Sequence, residues 1–483
     1  MVIQHSILYF LGRIIPGAVS LLALALFTRL MSADQYGLYV LAIAAMSMIN
    51  AVCFQWLNLS LGRYLPAHER QPQALLSTAL MGFLVLVVAT GALGGAVAWL
   101  WPDETLRWLI ILAVIISWAQ AWFDLNLKIV NARLAPIRYG FLSSVKALIA
   151  VSAGTALFFL GLGVIGILLG LMISLLISPL LVWKHWHGFS AKKHDARLLK
   201  DFIGYGAPLT LTVMLTLVLD VSDRFFLGWF INAKAVGVYA AAYDLSQQSL
   251  GMLMGIVHLA AFPLVVRVLE EKGDEEARNQ LRQNAFLLMA ISLPATIGFV
   301  LLAGNIAAVV LGAAFREGAG HIITIVALAI FVGGIKSYYF DYSFQLACKV
   351  RGLIVTVLVA ALANVGFNLW WIPVYGVLGA AYATLGAFVV GLFVSMYLGR
   401  KVFTLPPLPK ETYKVLLASG GMAAGLGLTL NWHGTFMLFT QVILGCSIYV
   451  TLLIVLNVAQ LRLKLDSFFR KIKEYLQPAN VTL

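Results

Sequence analysis

The stretch LFTRLMSADQYGLYVL, residues 26–41, is a short polar interruption between two long apolar runs. Ser32-Ala33-Asp34-Gln35 within it is typical of a capping box, in which the serine side chain caps a new helix and the glutamine reaches back. Gly37 follows, and a glycine lets a neighbouring membrane helix approach closely. The stretch therefore predicts a tight turn between two membrane helices.

The composition is that of a polytopic membrane protein. Of the 483 residues 61% are hydrophobic and 11% are charged, whereas a soluble domain carries about 25% charged residues. Apolar runs long enough to span a bilayer recur from end to end. The net charge of +13 is explained by basic cytoplasmic loops rather than by nucleic acid. The three isolated cysteines indicate neither a disulfide framework nor a metal site.

The apolar runs predict fourteen transmembrane helices joined by short hinges that contain glycine or proline. Residues 304–319 are assigned either to a loop or to the end of helix nine. The predicted helices cover residues 6–30, 36–61, 75–101, 105–127, 138–161, 163–183, 203–230, 236–266, 283–312, 320–347, 352–372, 375–399, 413–431 and 435–459.

Lysine and arginine collect in the loops on one side of this arrangement. Loops after even-numbered helices, with the C-terminal tail, hold 25 of the 33 basic residues, and loops after odd-numbered helices hold 4. The other four basic residues lie inside helices. By the positive-inside rule, both termini are expected in the cytoplasm.

The polar turn recurs as FFLGWFINAKAVGVYAAA, residues 225–242. Two segments, 32–33 and 37–39, align with 232–233 and 237–239 at a constant offset of 200 residues. Two more matches keep the same order: residues 163–166 with 376–379 at an offset of 213, and residues 123–124 with 340–341 at an offset of 217. Together the matches indicate that the chain contains two related halves.

The fold class expected from these patterns is an all-α polytopic membrane protein with two pseudo-symmetric six-helix halves around a central cavity. Halves of this kind are common in alternating-access transporters. The N-terminal lobe is predicted at 1–200 and the C-terminal lobe at 201–402, followed by two extra helices at 403–460. Residues 461–483 are predicted to form an amphipathic tail on the cytoplasmic membrane surface.

One cofactor motif is rejected. GLGVIG at 161–166 matches GxGxxG, but it lies in a hairpin between two membrane helices, and no acidic residue follows before Asp195. A dinucleotide site needs a preceding strand and an acid about 20 residues further on. We therefore expect no bound cofactor, and we also expect no metal.

Ionisable side chains inside a membrane are costly and usually face a cavity or a partner. Arg13, Lys146 and Lys336 have no acid at helical spacing in their own helices, and Asp341 falls on a different face from Lys336. Each of these three basic residues must pair across a cavity, snorkel to an interface or bind an anion such as a phosphate or an acidic sugar. The predicted substrate-binding residues are Arg13, Lys146, Arg224, Lys336 and Tyr339, the tyrosine as a surface for a sugar ring or, alternatively, as an interfacial anchor.

The acids suit a different role, because a buried carboxylate can carry a coupling proton or Na⁺. The candidates for ion coupling are Asp220, Asp223, Asp244, His258, Asp124 and Asp341. The alternative is internal pairing at i,i+4, for which Asp220 with Arg224 and Asp124 with Lys128 have the required spacing.

The opening of the chain resembles a known family. Gly-Arg-x-x-Pro at 12–16, followed by Arg-Leu-Met-Ser-x-x-x-Tyr-Gly-x-Tyr at 29–39, is similar to the start of the polysaccharide transporters. These are the Wzx-type O-antigen and exopolysaccharide flippases of the multidrug/oligosaccharidyl-lipid/polysaccharide (MOP) exporter superfamily. Their fourteen helices resemble this chain along essentially its whole length.

The resemblance implies a flippase of the bacterial inner membrane that moves an undecaprenyl-pyrophosphate-linked oligosaccharide from the inner to the outer leaflet, driven by an ion gradient. It also implies that Arg13, Arg224 and Lys336 line the cavity while the lipid tail stays in the bilayer. The expected partners are the lipid-linked oligosaccharide and membrane lipids, with a glycan polymerase and chain-length machinery as neighbours, and no nucleic acid.

Two other classes compete with this interpretation. Within the same superfamily, the chain could be a lipid II flippase or a drug/cation exporter, although surplus intramembrane bases disfavour the exporter. A membrane glycan polymerase or glycosyltransferase is less favoured, because most outer loops are only a few residues long. We therefore expect that the chain is not an enzyme.

Overall fold

A computed structural model describes residues 2–68, 72–133, 135–186 and 194–458, and for residues 2–14, 105 and 185 it describes the backbone alone. The described residues form helices and turns and contain no strand. The predicted tail at 461–483 and the side chain of Arg13 lie outside this description.

Fourteen long helices, numbered α1–α14 here, follow one another through the described residues, as the sequence predicted. Eleven helical stretches are long and apolar enough to cross a membrane, and one of them, Pro136–Lys184, contains both α5 and α6. The chain is a multi-pass membrane protein. The helices are α1 Val2–Leu30, α2 Ala33–Tyr64, α3 Gln73–Leu100, α4 Glu104–Ala132, α5 Pro136–Leu157, α6 Gly163–Ile177, α7 Ala196–Phe230, α8 Ala233–Lys272, α9 Asp274–Leu301, α10 Ala319–Leu346, α11 Val350–Tyr375, α12 Val377–Gly399, α13 Thr412–Gly427 and α14 Thr435–Val455.

Helix α9 differs from its predicted range of 283–312. It begins earlier, at Asp274, because acidic residues in its first turn favour a helix start that hydropathy does not register. It ends at Leu301, and the separate short helix Ala303–Val310 follows. The assignment of residues 304–319 to the end of α9 is therefore wrong, and the assignment to a loop holds only for residues 311–318, which follow the short helix.

The short helix is fixed in place by an amide network at Asn305. The Asn305 side chain donates to Gln441 Oε1 at 2.8 Å and accepts from the Gly434 backbone at 3.1 Å, in the turn between α13 and α14. The two C-terminal helices also pack on α9, where the Tyr449 hydroxyl donates to Ala290 O at 2.7 Å. The extra helices are thus attached to the C-terminal half.

The turn that opened the sequence has the predicted cap. The Gln35 backbone donates to Ser32 Oγ at 3.2 Å, and the Ser32 backbone donates to Gln35 Oε1 at 3.1 Å. At the repeat, Asn232 accepts from the Ala235 backbone at 2.9 Å. Helices α2 and α8 therefore start in the same way, and the capping box is confirmed.

The two glycines of the repeat pack against each other's helices. A Cβ atom added to Gly37 would lie 1.8 Å from the carbonyl oxygen of Ala233, and one added to Gly237 would lie 2.1 Å from that of Ala33. The contact is reciprocal, as expected for two halves related by a local two-fold axis. Helices α2 and α8 can approach this closely only because both positions lack a side chain.

The second repeated motif is also matched in conformation. Gly163 has φ 53° and ψ −135°, and Gly376 has φ 61° and ψ −134°. Both lie at positive φ, which glycine adopts without strain. Each begins the second helix of a hairpin, α5–α6 in one half and α11–α12 in the other. The domain boundaries at 200, 402 and 460 remain predictions.

The ends of the two halves that lie on the predicted outer side are joined. The Arg29 guanidinium, at the end of α1, donates to Val309 O at 2.6 Å and to Val310 O at 2.9 Å. The Gly312 backbone donates to Thr28 Oγ1 at 3.2 Å. Because Arg29 binds the last carbonyls of the short helix, it also interacts favourably with that helix's dipole. Hydrogen bonds therefore link the N-terminal and C-terminal halves on this side.

Replacement of Gly37 with alanine tests the reciprocal contact. We expect Gly37→Ala to lower the free energy of unfolding by about 1–3 kcal/mol, because the methyl group overlaps the backbone of α8. The measurement is thermal unfolding of the purified protein in detergent. Gly95→Ala is the matched control, since nothing lies within 4 Å of its added Cβ atom. Equal stability of the two variants would contradict the close packing of α2 on α8.

Candidate functional site

A polar cavity lies among α1, α2, α4, α5 and α6, within the N-terminal half. We call it the N-cavity. Its volume is about 380 Å³. Aromatic and aliphatic side chains form most of its wall, and polar side chains from α4 and α5 form one end. The lining residues used below are Ser20, Ala23, Phe27, Tyr39, Gln120, Phe123, Asp124, Lys146 and Leu171.

The charges of the N-cavity are linked through an amide. Asp124 accepts from Asn50 Nδ2 at 2.9 Å and from Gln120 Nε2 at 2.7 Å. Lys146 donates to Gln120 Oε1 at 3.5 Å and lies over the Phe123 ring, 4.9 Å from its centre. Among the described residues, no carboxylate lies within 4.0 Å of the Lys146 ammonium. That ammonium therefore retains donors for a ligand.

The proposed pairing of Asp124 with Lys128 is not formed in the described structure. Both Asp124 oxygens accept from amides, and no carboxylate in the described residues lies within 4.0 Å of Lys128. Asn50 lies on α2, which packs against α4. The contact between Asn50 and Asp124 therefore cannot be predicted from residue spacing along α4 alone.

A second cavity, the C-cavity, lies among α7, α8, α10, α11 and α12. Its volume is about 250 Å³. Four of the predicted site residues line it: Asp220, His258, Lys336 and Asp341. Thr212, Thr216 and Tyr338 also line it, whereas the predicted Tyr339 does not.

Lys336 has a partner in its own helix, contrary to prediction. Its ammonium lies 2.7 Å from Asp341 Oδ2, and both side chains are 5% exposed. Residues Lys336–Phe340 form a π turn in which the Asp341 backbone donates to Lys336 O at 2.9 Å. The wider turn brings residue i+5 onto the face of residue i. Ser395 donates to the other Asp341 oxygen at 2.6 Å, which completes a buried ion pair.

Arg224 pairs with a neighbouring helix instead of with Asp220. Its guanidinium lies 2.6 Å from Asp244 Oδ1 of α8. The predicted i,i+4 pair of Asp220 with Arg224 is therefore wrong. Asp220 lines the C-cavity and has no ion pair within 4.0 Å among the described residues.

Asp223 is the most completely enclosed acid of the C-terminal half, with 1% exposure. It accepts from the Tyr239 hydroxyl at 2.5 Å, from Thr384 Oγ1 at 2.7 Å and from Asn368 Nδ2 at 2.6 Å. No lysine, arginine or histidine of the described residues lies within 4.0 Å. The buried Asn368 Oδ1 atom has no hydrogen-bond partner in the described structure.

The hydrogen-bond partners of Asp223 were not among the residues predicted from the sequence. Asn364 and Asn368 lie one turn apart in the apolar helix α11, and Asn364 accepts from Ser222 at 2.8 Å. Two asparagines on one face of a membrane helix are a recognisable pattern, because buried amides need partners. Asn364, Asn368 and Thr384 join Asp223 only through the packing of α7, α11 and α12.

Tyr339 and His258 have defined structural partners. The Tyr339 hydroxyl donates to the carbonyl oxygen of Pro406, in the linker between α12 and α13. Tyr339 does not line the C-cavity that contains Lys336. His258 Nδ1 lies 2.5 Å from the Tyr342 hydroxyl, and its ring stacks on Tyr338 with 4.8 Å between centres.

An apolar groove runs among α8, α9, α13 and α14. Its volume is about 470 Å³, and its walls are made of aliphatic and aromatic side chains. Leu253 and Phe299 line one side, and Met422, Val442 and Tyr449 line the other. The protein therefore contains two kinds of environment: an apolar groove and polar cavities.

Two repeated six-helix halves, each with a polar cavity between its helices, make up this multi-pass membrane protein. Residues 26–320 match the family model described as "Polysaccharide biosynthesis protein", and the chain belongs to this family. The resemblance read from the first forty residues, to the polysaccharide transporters of the MOP superfamily, is confirmed.

Two curated relatives are similar in sequence. "Probable flippase AglR" of Haloferax volcanii is 25% identical over 214 residues, which are 44% of this chain and 44% of that protein. The chain thus spans under half the length of that relative. "Putative O-antigen transporter" of Shigella flexneri is 24% identical over 402 residues, 79% of this chain and 93% of that protein. Both names describe transport by those proteins.

Two solved structures share the fold. A structure titled "Lipid II flippase MurJ, inward closed conformation" has a TM-score of 0.77 at 16% identity, covering 94% of this chain and 99% of that one. An inward-facing multidrug resistance MATE transporter of the MOP superfamily has a TM-score of 0.65 at 14% identity, covering 82% and 97%. The expected fold class is confirmed.

The two lysines of the cavities are predicted to differ in their effect on stability. Lys336→Met leaves the Asp341 carboxylate buried without a cation, with Ser395 as its remaining partner, and should lower the free energy of unfolding by about 3–5 kcal/mol. Lys146→Met removes one long hydrogen bond and should cost about 1 kcal/mol. Chemical unfolding in detergent measures both. Adding Asp341→Asn to Lys336→Met should restore part of the loss, and equal losses for the two lysine variants would refute this assignment.

Proposed function

We propose that the chain is a flippase that moves an undecaprenyl-pyrophosphate-linked oligosaccharide from the inner to the outer leaflet of the bacterial inner membrane. The observation that carries the proposal is Lys146, whose ammonium faces a polar cavity inside the membrane region without a carboxylate within 4.0 Å among the described residues. A charge in this position is costly unless it serves a ligand.

The two environments of the protein suit the two parts of a lipid-linked saccharide. The polar cavities provide amide, hydroxyl and charged partners for a headgroup that cannot cross hydrocarbon unaided. The groove at Met422 and Val442 is lined by apolar side chains along which a polyisoprenyl tail can remain in contact with hydrocarbon. This division supports a lipid-linked substrate over a wholly soluble one.

Alternating access between the two halves is the proposed mechanism. The Arg29 bonds to the short helix link the halves on the predicted outer side, and we assign the described conformation to the end of the cycle in which that side is closed. Opening requires these bonds to break and the halves to rotate about the close contact of Gly37 with Gly237. The proposed orientation has both termini in the cytoplasm, where the basic loops lie.

The proposed coupling site is Asp223. A buried carboxylate with hydrogen-bond donors but no cation within reach remains costly, because hydrogen bonds offset only part of the desolvation penalty. Binding of a proton or of Na⁺ removes that cost, and the unpartnered Asn368 oxygen adds a further acceptor for a cation. We propose that an ion gradient acting at Asp223, with no bound cofactor, drives the cycle.

A lipid II flippase is the second candidate, favoured by the fold shared over 94% of the chain. Its substrate is also a lipid-linked saccharide, so the two candidates differ in the sugar that they accept. Membrane lipids surround the exposed apolar side chains, such as Trp229 and Leu428. A glycan polymerase and chain-length machinery are the proposed neighbours, because they use the translocated product.

The first test is the sidedness of lipid-linked glycan in cells that lack the protein. We expect repeat units to accumulate on the cytoplasmic face and the wild-type gene to clear them. Lys146→Met should reduce clearance about tenfold, equivalent to about 1.4 kcal/mol. Lys410→Met, an exposed lysine in the linker after α12, is the matched control. Unchanged sidedness in the deletion strain, together with increased drug sensitivity, would favour an exporter.

The second test addresses ion coupling at Asp223. In proteoliposomes, Asp223→Asn should retain the fold but abolish stimulation of transport by an imposed Na⁺ or pH gradient, since the neutral amide has no charge to compensate. Asp201→Asn, on the exposed side of the same helix, should behave as wild type. Full gradient stimulation in Asp223→Asn would place the coupling ion elsewhere.

A further inference from the structure

The N-cavity occupies the position that the Asp223 cluster occupies in the other half. The caps of α2 and α8 fix an offset of 200 residues, so Asp223 corresponds to Ala23 and Tyr239 to Tyr39. The matched hairpin glycines fix an offset of 213 for α6 and α12, so Thr384 corresponds to Leu171. Ala23, Tyr39 and Leu171 all line the N-cavity.

The residues that differ between the two halves explain why the space is filled at Asp223 but open in the N-cavity. In the C-terminal half, the carboxylate of Asp223 binds Tyr239 and Thr384 and fills the space. In the N-terminal half, a methyl group replaces that carboxylate, and an apolar chain replaces the hydroxyl. The Tyr39 hydroxyl has no hydrogen-bond partner among the described side chains, whereas its counterpart donates to Asp223.

We propose that the N-cavity is a binding site for a single uncharged hexose ring of the transported saccharide. The inference rests on the proposed function and assigns the sugar, rather than the pyrophosphate, to this cavity. The cavity, about 380 Å³, is roughly twelve times the volume of about 30 Å³ that one water molecule takes up in the liquid, and it therefore has room for one hexose ring.

The charges of the cavity favour a neutral ligand. Lys146 contributes one positive charge and Asp124 one negative charge, and Gln120 joins them. A pyrophosphate, with two or more negative charges, would gain one cation but would also lie close to the Asp124 carboxylate in a medium of low dielectric constant. A neutral ring meets no such repulsion, so the balance of charge selects against the pyrophosphate.

The hydrogen-bonding groups match hydroxyls, which both donate and accept. Asp124 is an acceptor, the Lys146 ammonium is a donor, and the free Tyr39 hydroxyl is both. Phe27 and Tyr39 pack edge to face, with 5.9 Å between their centres, and form an apolar wall for the C–H face of a sugar ring. Acceptors, donors and an aromatic wall are therefore present together.

The test uses saturation-transfer NMR on the full chain in lipid nanodiscs, with methyl glucoside, methyl galactoside and methyl N-acetylglucosaminide as probes. We expect at least one hexoside to bind the wild type and sodium pyrophosphate not to displace it. Ala23→Leu fills the cavity and should weaken binding about tenfold or more, equivalent to about 1.4 kcal/mol. Ala18→Leu, on the exposed face of α1, should leave binding unchanged. Tyr39→Phe, which preserves packing, should weaken binding measurably.

The possible outcomes separate this proposal from the proposed function. Absence of hexoside binding to the wild type, equal binding by Ala23→Leu, or displacement by pyrophosphate would overturn the sugar site. Glycan sidedness in cells tests translocation independently of any of these results. If hexosides bind as expected but sidedness is unchanged in the deletion strain, the sugar site stands and the flippase assignment fails.

Discussion

The crossing of α2 and α8 at Gly37 and Gly237 is the contact on which the arrangement of the two halves depends. Each glycine faces the backbone at the start of the other helix, and an added methyl group would come within 2.1 Å of a carbonyl oxygen on either side. Because the contact is reciprocal, it aligns the two halves about a common axis.

The symmetry of the backbone is not carried into the side chains, and the difference gives each half its own chemistry. Both halves place an ammonium near the aspartate of the repeated Phe-Asp pair, Asp124 or Asp341, but the lysine comes from α5 in one half and from α10 in the other. Both pairs border a cavity, but Gln120 separates the first pair, whereas the second is a direct ion pair. The same frame thus leaves an ammonium free for a ligand in one half and holds a buried ion pair in the other.

Much of the fold could be predicted because its determinants are local. Apolar length gave fourteen helices, the capping residues gave the start of α2, and the repeated glycines gave the two halves. The partners of the charged groups could not be predicted in the same way. Lys336 meets Asp341 only because a π turn replaces regular helix, and Arg224 meets Asp244 only because α7 packs against α8. Neither the π turn nor the packing of α7 on α8 can be predicted from the spacing of residues along one helix.

A flippase of this kind must move a lipid-linked saccharide through the polar interior of the protein. The measurement to make is translocation of purified lipid-linked oligosaccharide in proteoliposomes, read out as the fraction of glycan that an external glycosidase can cleave. We expect the wild-type protein to exchange the glycan between leaflets and Lys146→Met to slow the exchange about tenfold. Exchange no faster than in protein-free liposomes would rule out the flippase, and an undiminished rate in Lys146→Met would remove the N-cavity from the pathway.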